Sequence, residues 1–173
     1  QETYRQQGYT AAGTAPIIIQ GEDAALKSDP VLYPVTDKTT PTTVPYEKNK
    51  QKLNAIGGYR WQNPRQFIIW NFHVEKAGLY TISMKARQNV TRGVKSNRAV
   101  YIDGVIPCKE LEDYQVAFDS KWQMLELGGG DGAFQLYLTA GEHELKMEVT
   151  LGEMAGKINE VQDVLTELNG IYT

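Results

Sequence analysis

The strongest constraint on the fold is a series of short segments with strand-like side-chain patterns, most of them ended by a turn that carries glycine. Gln66 to Val74 is dense in aromatic and β-branched residues and stops at Lys76-Ala77-Gly78. Leu79 to Arg87 follows. A strand's period of two lines Tyr80, Ile82, Met84 and Ala86 along one face, with Leu79 off the strict pattern. Arg98 to Ile102 is a third strand, ended by Asp103-Gly104, a pair suited to a tight turn. Ala133 to Leu138 leads to Ala140-Gly141-Glu142, and Glu144 to Val149 returns. Ile17-Ile18-Ile19 starts a further short strand running into Gln20-Gly21-Glu22-Asp23-Ala24. Strands at this spacing predict an all-β antiparallel sandwich.

The flanks read differently. Residues 1–16 are polar and rich in Gly, Ala and Thr, which suits a linker or an N-terminal tail. From Lys27 to Lys52, Pro30, Pro34, Pro41 and Pro45 interrupt any period and predict a long surface loop, a kind of segment that tends to carry function. Beyond residue 150 the period changes. Met154, Ile158, Val161, Leu165 and Leu168 fall at steps of four and three, one face of an amphipathic helix, and Gly170 stands where its C-terminal cap belongs. The expected organisation is thus a tail (1–16), a sandwich (17–150) and an appended C-terminal α-helix (151–173) packed on the same domain or a neighbour.

Bulk properties narrow the partners. A chain of 173 residues supports one full core. Its 18 Lys and Arg against 21 Asp and Glu leave a net charge of −3, so no nucleic acid partner is expected. The single cysteine, Cys108, excludes an internal disulfide framework. No apolar run is long enough to span a bilayer, so no direct membrane insertion is expected. The N-terminus has neither a Met nor the apolar core of a signal peptide, so the chain reads as a piece of a longer polypeptide whose targeting signal lies elsewhere.

Several segments together resemble the carbohydrate-binding modules of families 6 and 35. Gln20-Gly21-Glu22-Asp23-Ala24 is similar to their opening E-A-E-D-A strand. Phe67 to Val74 followed by Ala77-Gly78-Leu79-Tyr80-Thr81-Ile82 is similar to their W-x-x-Y-x-F-x-V-x-x-A-G-x-Y-x-L stretch. Arg98 with Val100-Tyr101-Ile102-Asp103-Gly104 resembles R-x-x-x-V-x-V-D-G, and Leu138 to Leu145 resembles the L-x-x-G-x-H-x-L hairpin. The matches cover roughly residues 17–150 in order. They imply a jelly-roll, galactose-binding-like sandwich that binds carbohydrate. The setting this implies is bacterial, extracellular or at the cell surface, within a solute-binding protein of a sugar ABC transporter, beside neighbouring domains of a larger polypeptide. Two features depart from the pattern: Gln20 replaces the first acidic residue, and a helix stands where a closing strand with an aspartate is usual.

Sugars present apolar C–H faces and polar rims, so their sites pair aromatic platforms with planar polar groups. The resemblance places such a site on loops at one edge of the sandwich. The matching positions are Tyr33 in the long loop, Tyr59 and Trp61 in the Gly57-to-Asn63 turn, Arg87, Gln88, Asn89 and Arg92 in the next loop, and Trp122. Arg98 matches a recurrent family arginine that binds ligand or braces a loop. Trp61 and Trp122 also suit packing at the sandwich edge, and Trp70, within a strand, reads as core. The resemblance further implies a structural calcium with Glu22 as a ligand, against the plainer reading of a solvated Glu22-Asp23 pair.

Catalysis is not expected. Glu110, Glu112 and Asp113 cluster as a solvated acidic face would, and neither His73 nor His143 has a nucleophile at a recognised spacing. Gly128 to Gly132 lacks the Lys-Ser/Thr of a phosphate loop and reads as a hairpin connection. Non-catalytic glycan recognition is the leading expectation. The alternative is a structural or interaction spacer with no ligand of its own.

Overall fold

The computed structural model describes residues 9–39, 53–129 and 132–152, which form eleven strands. They are β1 (Leu26–Lys27), β2 (Phe67–Val74), β3 (Gly78–Tyr80), β4 (Ser83–Ala86), β5 (Ser96–Ile102), β6 (Tyr114–Val116), β7 (Gln123–Glu126), β8 (Gly128–Gly129), β9 (Gly132–Ala133), β10 (Leu136–Leu138) and β11 (Gly141–Val149). Single 3-10 turns stand at Gly58–Arg60 and Lys109–Leu111. The helix expected at 151–173 lies almost wholly outside the described residues, as do residues 1–8 and 40–52.

One layer is a five-stranded antiparallel sheet in the order β1-β2-β11-β5-β6. The other is organised along β3 and β4. Strand β7 pairs with β4 and β10 pairs with β3, both antiparallel, and Leu127 N–H donates to Ile82 C=O between them. The predicted strand 79–87 is therefore broken at Thr81-Ile82, where its partner changes from β10 to β7. The predicted strand 133–138 is split for the same reason, because the small β8–β9 hairpin is inserted between the two pairings.

Register explains burial. Ile68 opposes Met147, which opposes Val100, and Trp70 opposes Leu145, which opposes Ile102. These side chains share the inner face: Ile68, Trp70, Val100 and Met147 join Leu32, Leu111 and Leu127 in the main buried cluster, Ile102 joins Val74, Leu136 and Leu138 in a second, and Leu145 packs against both. Tyr80, Ile82 and Met84 pack against them from the facing layer, on the side the alternation predicts. Each large apolar side chain buried this way contributes about 1.5–3 kcal/mol. Trp70 is core, as expected, and its indole N–H is satisfied by Gly21 C=O at 2.8 Å. Asp103-Gly104 turns the chain as predicted: both residues have positive φ, and Ile102 and Val105 exchange backbone hydrogen bonds at 2.9 and 3.0 Å.

Two segments near the N-terminus behave unlike their composition. Ile17 to Ile19 forms no strand and is exposed, Ile18 at 72%. The outer edge of β2 is occupied instead by β1, so the β-branched run has no ladder to join, and propensity without a partner makes no strand. Residues 10–12, polar or small, do dock. Leu79 N–H donates to Thr10 C=O at 2.9 Å, Ala12 is buried, and Tyr9 stacks on Tyr137 at 4.1 Å. Gly78 permits this approach, since a Cβ there would stand 2.8 Å from the Ala12 backbone.

Candidate functional site

The three-residue link Glu75–Ala77 reverses the chain between layers, so β4 ends at the same end of the sandwich at which β2 begins. Strands β5 and β7 begin there and β11 and β6 end there, by their antiparallel pairings. The loops containing Tyr33, Tyr59, Trp61, Arg87 to Arg92 and Trp122 therefore gather at one end, with Arg98 two residues inside β5. The fold brings all nine residues singled out for sugar contact to that end, but in different states.

Tyr33 and Tyr59 are open, 48% and 59% exposed. Between them in space lies Arg60, which the sequence reading passed over. Its guanidinium carbon is 4.3 Å from the Tyr33 ring centre and 4.5 Å from that of Tyr59. The platform is anchored from below by Leu32, fully buried, and by Asp29, which receives the Val31 N–H at 2.9 Å and the Gln66 amide at 3.2 Å. Gly57 and Gly58, both at positive φ, make the turn that presents Tyr59. A Cβ on Gly57 would strike the Trp61 ring.

Trp61 faces the other way. It packs on the core, meets Trp70 edge-on at 6.3 Å and donates its indole N–H to Gln66 C=O at 3.2 Å. Arg98 covers its exposed side, with the guanidinium carbon 4.3 Å from the ring centre and donation to the Trp61 and Asn97 carbonyls, both at 2.7 Å. No described carboxylate is ion-paired with Arg98, and burial pulls its pKa down to about 10. This pair closes the end of the core.

Arg87 is also engaged. It lies over Trp122 at 4.8 Å, binds Asp37 at 2.5 Å and donates to the Thr39 hydroxyl at 3.0 Å. Asp37 is desolvated, which by itself would raise its pKa. Hydrogen bonds from Thr39 and the Arg87 charge outweigh that and hold the carboxyl below its ordinary value. The Trp122 indole N–H is close enough to Asp37 to help in this, yet it is buried outside hydrogen-bond geometry. Asp37 and Asn54 also bind each other, at 2.6 and 3.0 Å, so this knot fixes both ends of the long loop.

Gln88 is buried and braces its own loop, with its amide donating to Thr91 and Val94 carbonyls and accepting from Val90 N–H. Asn89 is exposed. Arg92 is exposed and lies 5.7 Å from the Phe118 ring centre. Glu22 stands half-buried in the turn before β1, and no three acidic, His or Cys side chains converge as a metal site among the described residues. Asp113 is tied to the Asn97 amide and the Thr150 hydroxyl. Cys108 is half-buried, and desolvation raises its thiol pKa.

An open cleft of about 280 Å³ lies towards the opposite end, lined by Asn71, Asp103, Glu142, His143 and Glu144. Its groups hold one another: His143 meets Asp103 at 2.7 Å and Thr139 C=O at 2.9 Å, and His73 meets Glu142 at 2.6 Å. No helix among the described residues is long and apolar enough to cross a membrane.

Fold and site define an antiparallel all-β sandwich whose loops collect arginines and aromatic rings at one end. No protein-family model and no curated protein matches the sequence. Among solved structures, the chain is similar to part of a Paenibacillus sp. cycloisomaltooligosaccharide glucanotransferase complexed with cycloisomaltoheptaose. That match has a TM-score of 0.56 at 15% identity, over 81% of this chain and 17% of that one. A ruminal GH26 endo-β-1,4-mannanase matches with a TM-score of 0.47 at 18% identity, over 78% of this chain and 23% of that one. The chain thus spans less than a quarter of the length of either.

Proposed function

We propose that this chain is a non-catalytic glycan-binding module, working as one part of a larger bacterial extracellular protein engaged in sugar uptake. The observation that carries the proposal is the Tyr33–Arg60–Tyr59 group: two exposed rings beside a guanidinium, on a loop end braced by the core. Exposed tyrosines offer apolar faces to sugar C–H groups, and the guanidinium offers donors to ring hydroxyls. The ordered resemblance to families 6 and 35 supports the same reading. So does the fold shared with part of a glucanotransferase solved with a cyclic glucan. Affinity for a single site should be weak, on the order of 0.01–1 mM, because little apolar area is buried against hydroxyls that water also solvates.

A glycan array followed by titration calorimetry tests this. Saturable binding that disappears in Tyr59→Ala, with the variant still folded, is the expected result. A blank panel with folded wild-type protein overturns it and leaves the spacer reading.

A further inference from the structure

The chain is acidic as a whole, yet the fold sorts its charges. The described loops at the aromatic end, residues 28–39, 53–66, 87–95 and 117–122, hold seven Lys and Arg against three Asp and Glu, and Asp113, bound to Asn97 and Thr150, adds a fourth acid there. The connections at the other end, residues 75–77, 103–105 and 139–142, hold three acids and one lysine. The acids at the aromatic end are also engaged. Asp37 binds Arg87, Asp29 binds Gln66 and Val31, and Asp119 receives the Lys121 N–H at 2.8 Å. Among the described residues, Arg60, Arg65, Arg92 and Lys121 are in no ion pair.

Arg60 is the most informative of these. Its guanidinium contacts the two tyrosine rings, and its N–H edge meets no acceptor among the described residues. A planar guanidinium so placed is matched by a planar or multidentate anion, which it binds through two parallel hydrogen bonds. We infer that the ligand of this end is an anionic glycan, its carboxylate or sulfate group seated on Arg60 and its sugar ring on Tyr59 or Tyr33. This rests on the glycan-binding reading and adds the charge of the ligand to it. Arg65, Arg92 and Lys121 supply further positive potential along the same end. A long nucleic acid fits less well, because the acidic far end and the net charge of −3 oppose its wrapping.

The test is binding of the 173-residue chain to polygalacturonate, to dextran sulfate, to neutral dextran and mannan, and to single-stranded oligo-dT, each at 50 and 200 mM salt. Either anionic polymer should bind at least roughly tenfold tighter than the neutral ones and weaken severalfold at the higher salt, as screening shortens the reach of the charges. Arg60→Gln should remove that preference while leaving the melting temperature unchanged. The carboxylate and sulfate arms identify which anion is read. Neutral glycan binding that is lost in Tyr59→Ala but indifferent to Arg60→Gln overturns the anionic ligand and leaves the glycan reading intact. Oligo-dT binding as tightly as the acidic glycans overturns it in favour of a general polyanion surface. No binding to any polymer overturns both.

Discussion

Arg98 and Trp61 form one unit at the loop end: the guanidinium lies 4.3 Å from the indole ring centre and donates to the Trp61 backbone carbonyl at 2.7 Å. The arginine is thereby satisfied by carbonyls and an aromatic face, and the tryptophan is covered on the side the core does not reach. A ring held on both sides contributes to folding more than to a ligand.

Trp61→Ala should consequently lower stability by about 2–3 kcal/mol, as loss of a partly buried aromatic does. Chemical denaturation measures it. A variant as stable as wild type contradicts the bracing role and returns Trp61 to the ligand surface.

Tyr59→Ala and Tyr33→Ala should behave in the opposite way. Both rings are open to solvent, so stability should stay within about 0.5 kcal/mol of wild type while glycan binding falls. Denaturation and calorimetry on the same samples separate the two effects.

His143 predicts a pH dependence. Burial by itself lowers its pKa, but hydrogen bonds to Asp103 and Thr139 and the charges of Asp103 and Glu142 outweigh burial and raise it. Both ring nitrogens face acceptors, which only the imidazolium satisfies. A raised folded-state pKa means that the stabilisation is fully present below the ordinary histidine value of about 6.5 and is lost as pH rises through the raised one. Melting temperature should fall across that window, and Asp103→Asn should flatten the slope. The other imidazole, His73, is exposed beside Glu142, so His73→Gln serves as the control. A slope that survives Asp103→Asn and vanishes in His73→Gln assigns the effect to the wrong histidine.

Gly78→Ala should loosen the docked N-terminal segment. The added methyl would meet the Ala12 backbone at 2.8 Å, and overpacking of this kind costs about 1–3 kcal/mol. Faster proteolysis before residue 14, together with a lower melting temperature, is the expected outcome. Unchanged cleavage would mean that the segment tolerates displacement.

Alternation and turn chemistry are local properties, and they made the sandwich legible. Tyr80, Ile82 and Met84 face inward because successive strand residues must point to opposite sides, and Asp103-Gly104 turns because both residues tolerate positive φ. The loop positions of the candidate site were likewise readable from where the strands stop. Arg60 was not read, although it stands between Tyr59 and Trp61, because adjacency along a chain does not say which rings a side chain will meet.

Three outcomes belonged to the tertiary structure alone. The Ile17-Ile18-Ile19 run stayed out of the sheet while residues 10–12 docked, because pairing needs a free edge at the right distance, and edges exist only after the strands have assembled. Trp61 and Tyr59 parted ways, one packed inward and one left open, although only Arg60 separates them along the chain. Charge, weakly acidic when summed along the sequence, is divided among the described loops into a more basic end and a more acidic one, since folding sorts loops by the direction of the strands they join. Composition is a sum, and a binding surface depends on where its terms are placed.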